Sequence, residues 1–413
     1  MASTGDLDAA DRDFSRYLSA RVLSVAGAVV SAVALPVLVY QLTGSAGWTS
    51  AVTAAEALPY LVFGLLAGAL ADRLDRRKMM VALDFAVAGV LLSVPLAWLA
   101  GGLSAPHVVL VAFATQTAFV FFDAANFGAL PALVGKDRLT VAYSTLYGRT
   151  TVIELVVPGL TGLLVAVIAP AALLAVNALT AVGSALLLRG IASSMANPRP
   201  VRGAGEIVAD VREGLRFLWR EPIIRTLTLV GATHSVAIGG WMAVLVPFAD
   251  RVLGVAPRGD VRLAALFSSW GVGAIIASRV LPTLTERWGG ARLALAALPL
   301  SVLGGLFVLM SPHWIVTCLA IGYWGAASSA VVINGITYRQ QVCPAELQSR
   351  VNTTGRMIAW GLGQPLGAAL AGALSVAAGD PRAGLVAGLA VLLVGVVLAW
   401  VTPVLRRETK LSR

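Results

Sequence analysis

Five ionisable side chains lie inside long apolar stretches of the sequence: Glu56, Asp84, Asp123, Glu154 and His234. A charge at the centre of a membrane helix costs about 2.5–3.5 kcal/mol on insertion scales, so such residues are functional by default. A carboxyl group in apolar surroundings is harder to ionise than in water, which allows it to bind and release a proton at the pH of a cell. The carboxyls are therefore candidate proton carriers.

Glu154 is the first candidate for proton coupling. It lies about 15 residues after the predicted start of its helix at 139, which is roughly 22 Å into the membrane at 1.5 Å per residue. Asp123 lies nearer the end of its own helix, and it ranks second together with Glu56. The alternative for Glu154 is a structural carboxyl that is neutral or paired.

The composition indicates what kind of protein must hold these groups. Hydrophobic residues make up 58% of the 413 residues and charged residues only 13%, whereas soluble domains carry roughly 25% charged residues. Apolar runs long enough to cross a bilayer must be helical, because lipid cannot form hydrogen bonds with the backbone N–H and C=O groups of an open strand. The sequence thus predicts an all-α membrane protein and not a soluble enzyme. Twelve spans are predicted near 16–42, 48–71, 78–100, 106–134, 139–168, 170–190, 223–250, 261–284, 291–311, 313–341, 347–377 and 383–404.

The basic residues set the orientation. With the N-terminus inside, 27 of the 31 Lys and Arg residues fall on the cytoplasmic side, as the positive-inside rule requires. Both termini are therefore expected in the cytoplasm. The net charge of +10 does not indicate nucleic acid, because the charges lie in short connections where they meet lipid head groups.

A polar segment divides the spans into two groups of six. We expect an N-terminal six-helix bundle over 1–190, a cytoplasmic linker with an amphipathic helix over 191–222, and a C-terminal six-helix bundle over 223–413. The halves repeat a pattern, from Asn126 to Pro158 and from Asn334 to Pro365. Repeats of six spans are typical of transporters in which one half rocks against the other.

Three segments carry a resemblance to a known family. The run GALADRLDRRK, from Gly68 to Lys78, is similar to the loop that marks the major facilitator superfamily between helices 2 and 3. The segments Glu213 to Leu227 and Gln340 to Val351 resemble the macrolide-efflux and siderophore-exporter branch of its drug:proton antiporters. The resemblance covers essentially the whole chain.

That resemblance implies roles for particular residues. Part of the loop would form a conformational latch for the outward-open state, in which a glycine permits close helix approach: Gly68, Asp72, Arg73, Arg76 and Arg77. The fifth helix partly matches the antiporter motif, with Val157 in place of a glycine and with Pro158, Gly159 and Gly162 as expected. The fourth helix lacks the arginine that many drug antiporters carry.

Four tryptophans fall near the middle of predicted spans: Trp241, Trp270, Trp324 and Trp360. They are candidates for lining a substrate cavity for a large apolar or aromatic cargo, and packing or lipid-facing roles are the alternative. No cofactor is expected, because no phosphate-binding loop has the required spacing. No metal site is expected either, because the three histidines are isolated from one another.

Together these observations predict a secondary active transporter of a bacterial cytoplasmic membrane. It would export a hydrophobic or amphiphilic small molecule, a drug or a natural product, by proton antiport with alternating access. Its partners would be the substrate, protons and the lipid bilayer, and it would act as a monomer. The alternatives are a narrow siderophore or metabolite exporter, and a non-transporting receptor or lipid scramblase with the same fold.

Overall fold

The computed structural model describes residues 4–135, 138–193, 195, 204–343, 351, 354–355 and 357–401, and its regular structure over these ranges is helical. The first six helices are α1 (Thr4–Thr43), α2 (Ala46–Arg73), α3 (Arg76–Leu99), α4 (Ala105–Val134), α5 (Leu139–Val167) and α6 (Pro170–Arg189). The later ones are α7 (Ala204–Arg220), α8 (Pro222–Leu253), α9 (Arg262–Trp288), α10 (Gly290–Met310) and α11 (Trp314–Val342). A π-helix (Met357–Gly363) then continues into α12 (Gln364–Ala378), which is followed by α13 (Pro381–Val401).

Within the described ranges, eleven helical segments are long and apolar enough to cross a membrane. This confirms the prediction of an all-helical, multi-pass membrane protein. The 28-residue helix α2 is a further long helix, and the side chains of three of its residues lie outside the described part. A helix, α7, also occupies the position predicted for the amphipathic linker helix.

Helix α1 is longer than the predicted span, because it begins at Thr4 rather than near 16. The additional turns are held by polar contacts that hydropathy cannot detect. Asp13 Oδ2 accepts hydrogen bonds from the backbone N–H groups of Ala192, at 3.1 Å, and Ser193, at 2.8 Å. Arg16 Nη1 donates to the carbonyl oxygen of Gly190 at 2.5 Å. The start of α1 thus caps the end of α6.

The membrane helices pack as two groups. In the first half, α1–α6, the helices α1 and α3 pack on α6, and α2 packs on α4. In the second half, α8–α13, α8 packs on α12 and α13, and α11 packs on α9 and α10. The halves meet where α2 packs against α8 and α12, and where α5 packs against α9.

Short connections make successive helices antiparallel, so the turns alternate between two faces of the molecule. We call the face with the turn at Gly44 the α1–α2 face, and the face with the turn at Leu74 the α2–α3 face. The orientation predicted from the basic residues would place the first face outside and the second in the cytoplasm.

Candidate functional site

A cavity of about 380 Å³ lies between the two halves. Most of its wall comes from α1, α2, α3, α4 and α6, and the remainder comes from α8, α9, the π-helix and α12. Its aromatic residues are Tyr60, Phe119, Phe122, Phe267 and Trp360, and its charged residues are Glu56 and Asp84. Small-molecule sites in proteins have volumes of roughly 300–1,000 Å³. The cavity is therefore large enough for a small organic molecule.

The two carboxyl groups of the cavity are poorly satisfied by the protein. Asp84, on α3, is 4% exposed, and its Oδ2 atom has no hydrogen-bond partner. The hydroxyl of Ser184, on α6, lies near the Asp84 carboxyl. It is buried and makes no hydrogen bond in this conformation. Glu56, on α2, makes no hydrogen bond or ion pair with any residue that the structure describes. Both carboxyls are thus available to a ligand or a proton.

An ion pair lies next to the cavity, on the side of the α2–α3 face. Arg21 Nη2, on α1, lies 2.8 Å from Asp123 Oδ1, on α4, and the two side chains are only 10% and 14% exposed. The Arg21 guanidinium also lies 5.7 Å from the ring centre of Phe119 and 5.4 Å from that of Phe122. Because both rings line the cavity, the ion pair and the cavity share one wall.

Glu154 does not line this cavity. Its side chain, on α5, is exposed, and the next residue, Leu155, packs against Gly271 of α9. The charge of Arg21 nevertheless acts on both Glu154 and Asp84. Arg21 is therefore a basic group common to Asp84, Asp123 and Glu154, whereas Glu56 stands apart from it.

The halves are bonded to each other at the α1–α2 face. Tyr40 Oη donates to Asp250 Oδ2 at 2.7 Å, and Gln41 Nε2 donates to the carbonyl oxygen of Pro257 at 2.7 Å. In the opposite direction, Arg251 donates to the carbonyl oxygen of Gly44 at 2.5 Å. These bonds join the end of α1 to the end of α8 and its following loop, so they tie the two halves together at this face.

The loop after α8 is shaped by Asp260. Its Oδ1 atom accepts hydrogen bonds from the backbone N–H and the Nε–H of Arg262, both at 2.9 Å. The hydrogen bonds from the Arg262 side chain hold the pKa of Asp260 below its usual range. The carboxylate thus stays charged and supports the loop that contains Pro257.

Glycines in the seam between the halves also show that the helices approach one another more closely near the α1–α2 face. A Cβ atom at Gly162 of α5 would lie 2.5 Å from Ala264 Cα of α9, and one at Gly159 would collide with Ser268. These two motif glycines let α5 and α9 touch near the α1–α2 face. Nearer the α2–α3 face, a Cβ atom at Gly68 or Gly148 would meet nothing within 4 Å. Among the described residues, none makes the close helix approach expected at Gly68.

Two of the other latch residues, Arg76 and Arg77, bond to carbonyl oxygens of the first half. Arg76 is 5% exposed and donates from Nη1 to the carbonyl oxygen of Gly128 at 3.0 Å. A Cβ atom at Gly128 would overlap that guanidinium, so the glycine provides its space. Arg77 donates to the carbonyl oxygen of Ile191, and Arg73 is exposed. The side chain of Asp72 lies outside the described residues.

The four tryptophans separate into two environments. Trp360 is 45% exposed and lines the cavity. Trp241 and Trp324 are 1% and 0% exposed, and their ring centres are 6.2 Å apart. Trp270 packs edge-on against Trp324, with ring centres 5.6 Å apart. The prediction that these residues could line a cavity thus describes Trp360 here, whereas the other three form a packed cluster.

That cluster continues into a neutral polar network. Trp324 Nε1 donates to Ser301 Oγ at 3.1 Å, and His234 Nε2 lies 3.1 Å from the same oxygen. The other ring nitrogen of His234, Nδ1, donates to the carbonyl oxygen of Val230, because a carbonyl oxygen can only accept. Ser328 Oγ completes the network 3.1 Å from Ser301 Oγ. His234 is therefore a buried packing residue that joins α8 to α10.

Comparison with known proteins agrees with this architecture. A family model described as Major Facilitator Superfamily matches residues 17–358. The chain belongs to the major facilitator superfamily. Among solved structures, an inward-facing bacterial homologue of the human lysosomal transporter Spinster has a TM-score of 0.73 at 15% identity, covering 98% of each chain. The nucleoside transporter NupG also gives 0.73 at 13% identity, covering 95% of this chain and 100% of the other.

Two sequence relatives belong to the branch that the motifs resemble. The multidrug efflux pump Tap of Mycolicibacterium fortuitum is 30% identical over 92% of this chain and 93% of its own length. The enterobactin exporter EntS of Escherichia coli O6:K15:H31 is 27% identical over 95% of this chain and 92% of its own length. The resemblance to drug and siderophore exporters is therefore confirmed.

Sequence reasoning missed two parts of this major facilitator site. Arg21 lies near the predicted start of the first span, where an arginine is normally interpreted as a determinant of membrane topology. Because helix 4 lacks an arginine, an arginine on another helix could have been considered in its place. The bond between Tyr40 and Asp250 joins residues 210 positions apart. No local pattern reveals a contact of that range.

Proposed function

We propose that this protein exports a hydrophobic or amphiphilic small molecule by proton antiport with alternating access, and that it has no enzymatic activity. The observation that carries the proposal is the cavity of about 380 Å³ whose wall is shared by the two halves. A cavity of this kind can open to either face if one half rocks against the other. Two sequence relatives, a multidrug efflux pump and an enterobactin exporter, support export.

The proposed architecture has twelve membrane helices in a bacterial cytoplasmic membrane, acting as a monomer with both termini in the cytoplasm. Residues 1–190 and 223–413 form the two bundles, and residues 191–222 form the linker. With the α1–α2 face outside, the bonds at Tyr40, Gln41 and Arg251 close the outer side. The conformation is then inward-open.

Cysteine labelling tests this orientation. A chain without its native Cys318 and Cys343 would receive a single cysteine at Gly102 or at Gly205, both of which are exposed. We expect an impermeant thiol reagent to label Gly102→Cys from outside intact cells and to label Gly205→Cys only after lysis. The reverse pattern would refute the proposed topology.

We further propose that the loop after α2 closes the cytoplasmic side in the opposite state. No atom of the described residues lies within 4 Å of a Cβ atom placed on Gly68, which would leave room for a helix of the second half to approach. Arg76, fixed against Gly128, and the neighbouring Arg73 and Arg77 would hold the loop, and Asp72 would accept hydrogen bonds from the approaching helix. The loop would thus act as the latch of the outward-open state.

For coupling, we propose that protons bind to Glu154, Asp123 and Glu56, with Glu154 first. The support is the position of Arg21, which is bonded to Asp123 and acts electrostatically on Glu154. A proton on Asp123 or on Glu154 weakens the attraction of that carboxyl for Arg21, which frees the guanidinium for the other carboxyl. Glu56 couples differently, since it lies in the cavity beside the cargo.

Glu154→Gln is the test of coupling, because it preserves shape and hydrogen bonding but cannot titrate. In liposomes we expect the variant to bind cargo and exchange it between compartments, yet to lose uphill export driven by a pH gradient. Binding of cargo to the parent should weaken as pH falls, since proton and cargo compete, and this dependence should flatten in the variant.

The same substitution logic applies to the other carboxyls. Uphill export by Glu154→Gln at the parent rate would move the coupling to Asp123 or Glu56. Full activity in Glu154→Gln, Asp123→Asn and Glu56→Gln alike would refute coupling through these carboxylates. Asp380→Asn is a matched control, because Asp380 lies in the loop between α12 and α13 and bonds only a local N–H.

The liposome assay also separates the alternative functions. A lipid scramblase moves lipid without a pH gradient, and a receptor moves nothing. A narrow siderophore exporter would move one compound of a chemically diverse panel, whereas a multidrug exporter would move several. The specific observation that favours export of varied compounds is the mixed lining of the cavity, in which aromatic and small polar groups adjoin.

A further inference from the structure

We propose that Glu56 and Asp84 bind the cationic group of an amphiphilic cargo, so that the cavity selects organic cations over anions of the same shape. This inference rests on the proposed exporter function and names its substrate class. It assigns the two cavity carboxyls to cargo recognition.

The charges that face the cavity are of one sign. Its wall, as the structure describes it, contains Glu56 and Asp84 and no Lys, Arg or His. Arg21, whose charge reaches Asp84, lies outside this wall, where it is paired with Asp123 at 2.8 Å and packs against the rings of Phe119 and Phe122. The cavity thus presents two carboxyls with no balancing cation in its wall.

Asp84 gives the strongest reason to expect a positive ligand. Its side chain is more than nine-tenths buried and lines the cavity, yet Oδ2 accepts no hydrogen bond. A buried carboxylate without a partner is unstable, and it is stabilised by a bound proton or by a bound cation. The Ser184 hydroxyl nearby is neutral and cannot balance the charge. A protonated amine or a quaternary ammonium or phosphonium group supplies the missing charge.

The aromatic wall suits the remainder of such a cargo. Phe119 lies on α4, Phe267 on α9 and Trp360 on the π-helix, so rings face the cavity from both halves. Aromatic faces attract organic cations and also bury apolar groups. An acidic siderophore, in contrast, would have to place its negative charge beside two carboxyls. The lining of the cavity therefore disfavours an acidic siderophore as the cargo.

The test uses a pair of ions that differ in charge and not in shape, tetraphenylphosphonium and tetraphenylborate. Binding of each would be measured to the full-length protein in nanodiscs at pH 7.5, with protein-free nanodiscs to subtract partition into lipid. We expect the phosphonium to bind at least about tenfold more tightly than the borate, because like charges repel in a desolvated site. Glu56→Gln and Asp84→Asn should each reduce this preference, and the double variant should abolish it.

Two controls keep the outcome interpretable. Asp380→Asn removes one carboxylate of the outer loop and should leave the preference unchanged. Triphenylphosphine oxide is an uncharged probe with similar rings, and the double variant should bind it as the wild type does, which shows that the cavity remains folded.

The outcomes separate this inference from the exporter function. Equal or weaker binding of the phosphonium by the wild type, or a preference that survives the double substitution, would overturn cation selection. Proton-driven export of an uncharged or anionic compound in liposomes would then leave the exporter standing with another substrate class. Selective phosphonium binding without export of any compound would support the site and refute the exporter.

Discussion

The interior of the first half carries charge, whereas the interior of the second half is polar but neutral. Among the described residues, the charged side chains that are buried are Asp13, Arg21, Arg76 and Asp84, and all four belong to the first half. The buried polar side chains of the second half are histidine, serine, threonine and asparagine, as in the network around Ser301.

This difference shows how one fold can divide two tasks between its repeats. A charge in a membrane interior is expensive unless a counter-charge, a proton or a ligand stabilises it, and so it responds to any of these. A neutral network that satisfies its own hydrogen bonds responds to none of them. Under the proposed function, the first half would therefore sense protons and cargo, and the second half would move against it as a rigid body.

The largest expected effect comes from breaking the ion pair of the first half. Asp123→Asn leaves Arg21 buried without its counter-ion, which we expect to lower the free energy of unfolding by about 3–5 kcal/mol. Uphill export should also be lost. Thermal unfolding in detergent and pH-driven export in liposomes measure the two effects.

A double variant separates stability from coupling at this position. Arg21→Met with Asp123→Leu removes both charges, so the protein should regain most of its thermal stability while export stays lost. Restored uphill export in the double variant would show that the pair is structural, and the contrast between the halves would then have no bearing on coupling.

The corresponding change in the second half should affect stability alone. Ser301→Ala leaves Trp324 Nε1 and His234 Nε2 without their partner, which should cost about 1–3 kcal/mol. The rate of uphill export should remain within about twofold of the wild type, because the substitution touches neither Arg21 nor the carboxyls of the first half. Ser278→Ala, at an exposed position of α9, is the control for loss of a hydroxyl. Loss of coupling in Ser301→Ala would erase the distinction between the halves.

How much of this could be read from the sequence depends on the range of the interaction. The helices are encoded by local apolar runs, so hydropathy predicted them, and the Pro-Gly motif and the basic loop are local segments that were recognised by their resemblance to a known family. The placement of Glu154 outside the cavity wall depends on the rotation of α5 against α9, which is set by contacts such as that of Gly162 with Ala264. A count along one helix gives the depth of a carboxyl in the membrane but not the direction that it faces.

The seam between the halves gives a third test, in which two glycines of one helix are compared. Gly162→Ala forces a Cβ atom against Ala264, and overpacking of this kind costs about 1–3 kcal/mol. We expect it to favour separation of the halves at the α1–α2 face. Gly148→Ala, in the same helix but beside open space, should have little effect. Distances between spin labels at Gly102 and Arg258 report the separation, and equal distance distributions in the two variants would contradict the closed seam.

The smallest expected effect is at the bond that joins the halves at this face. Tyr40→Phe keeps the ring, which is 3% exposed, and removes the hydrogen bond to Asp250. A net contribution of about 1 kcal/mol corresponds to roughly a fivefold change in the ratio of closed to open molecules. The bonds made by Gln41 and Arg251 remain, so the outer side should open partly rather than fully. The same pair of spin labels should show a larger population at long distance, and Tyr323→Phe, on an exposed part of α11, should not. If the population is unchanged while the protein stays folded, the outer closure is carried by the packed glycines, and the Tyr40 hydroxyl serves only to satisfy the Asp250 carboxylate.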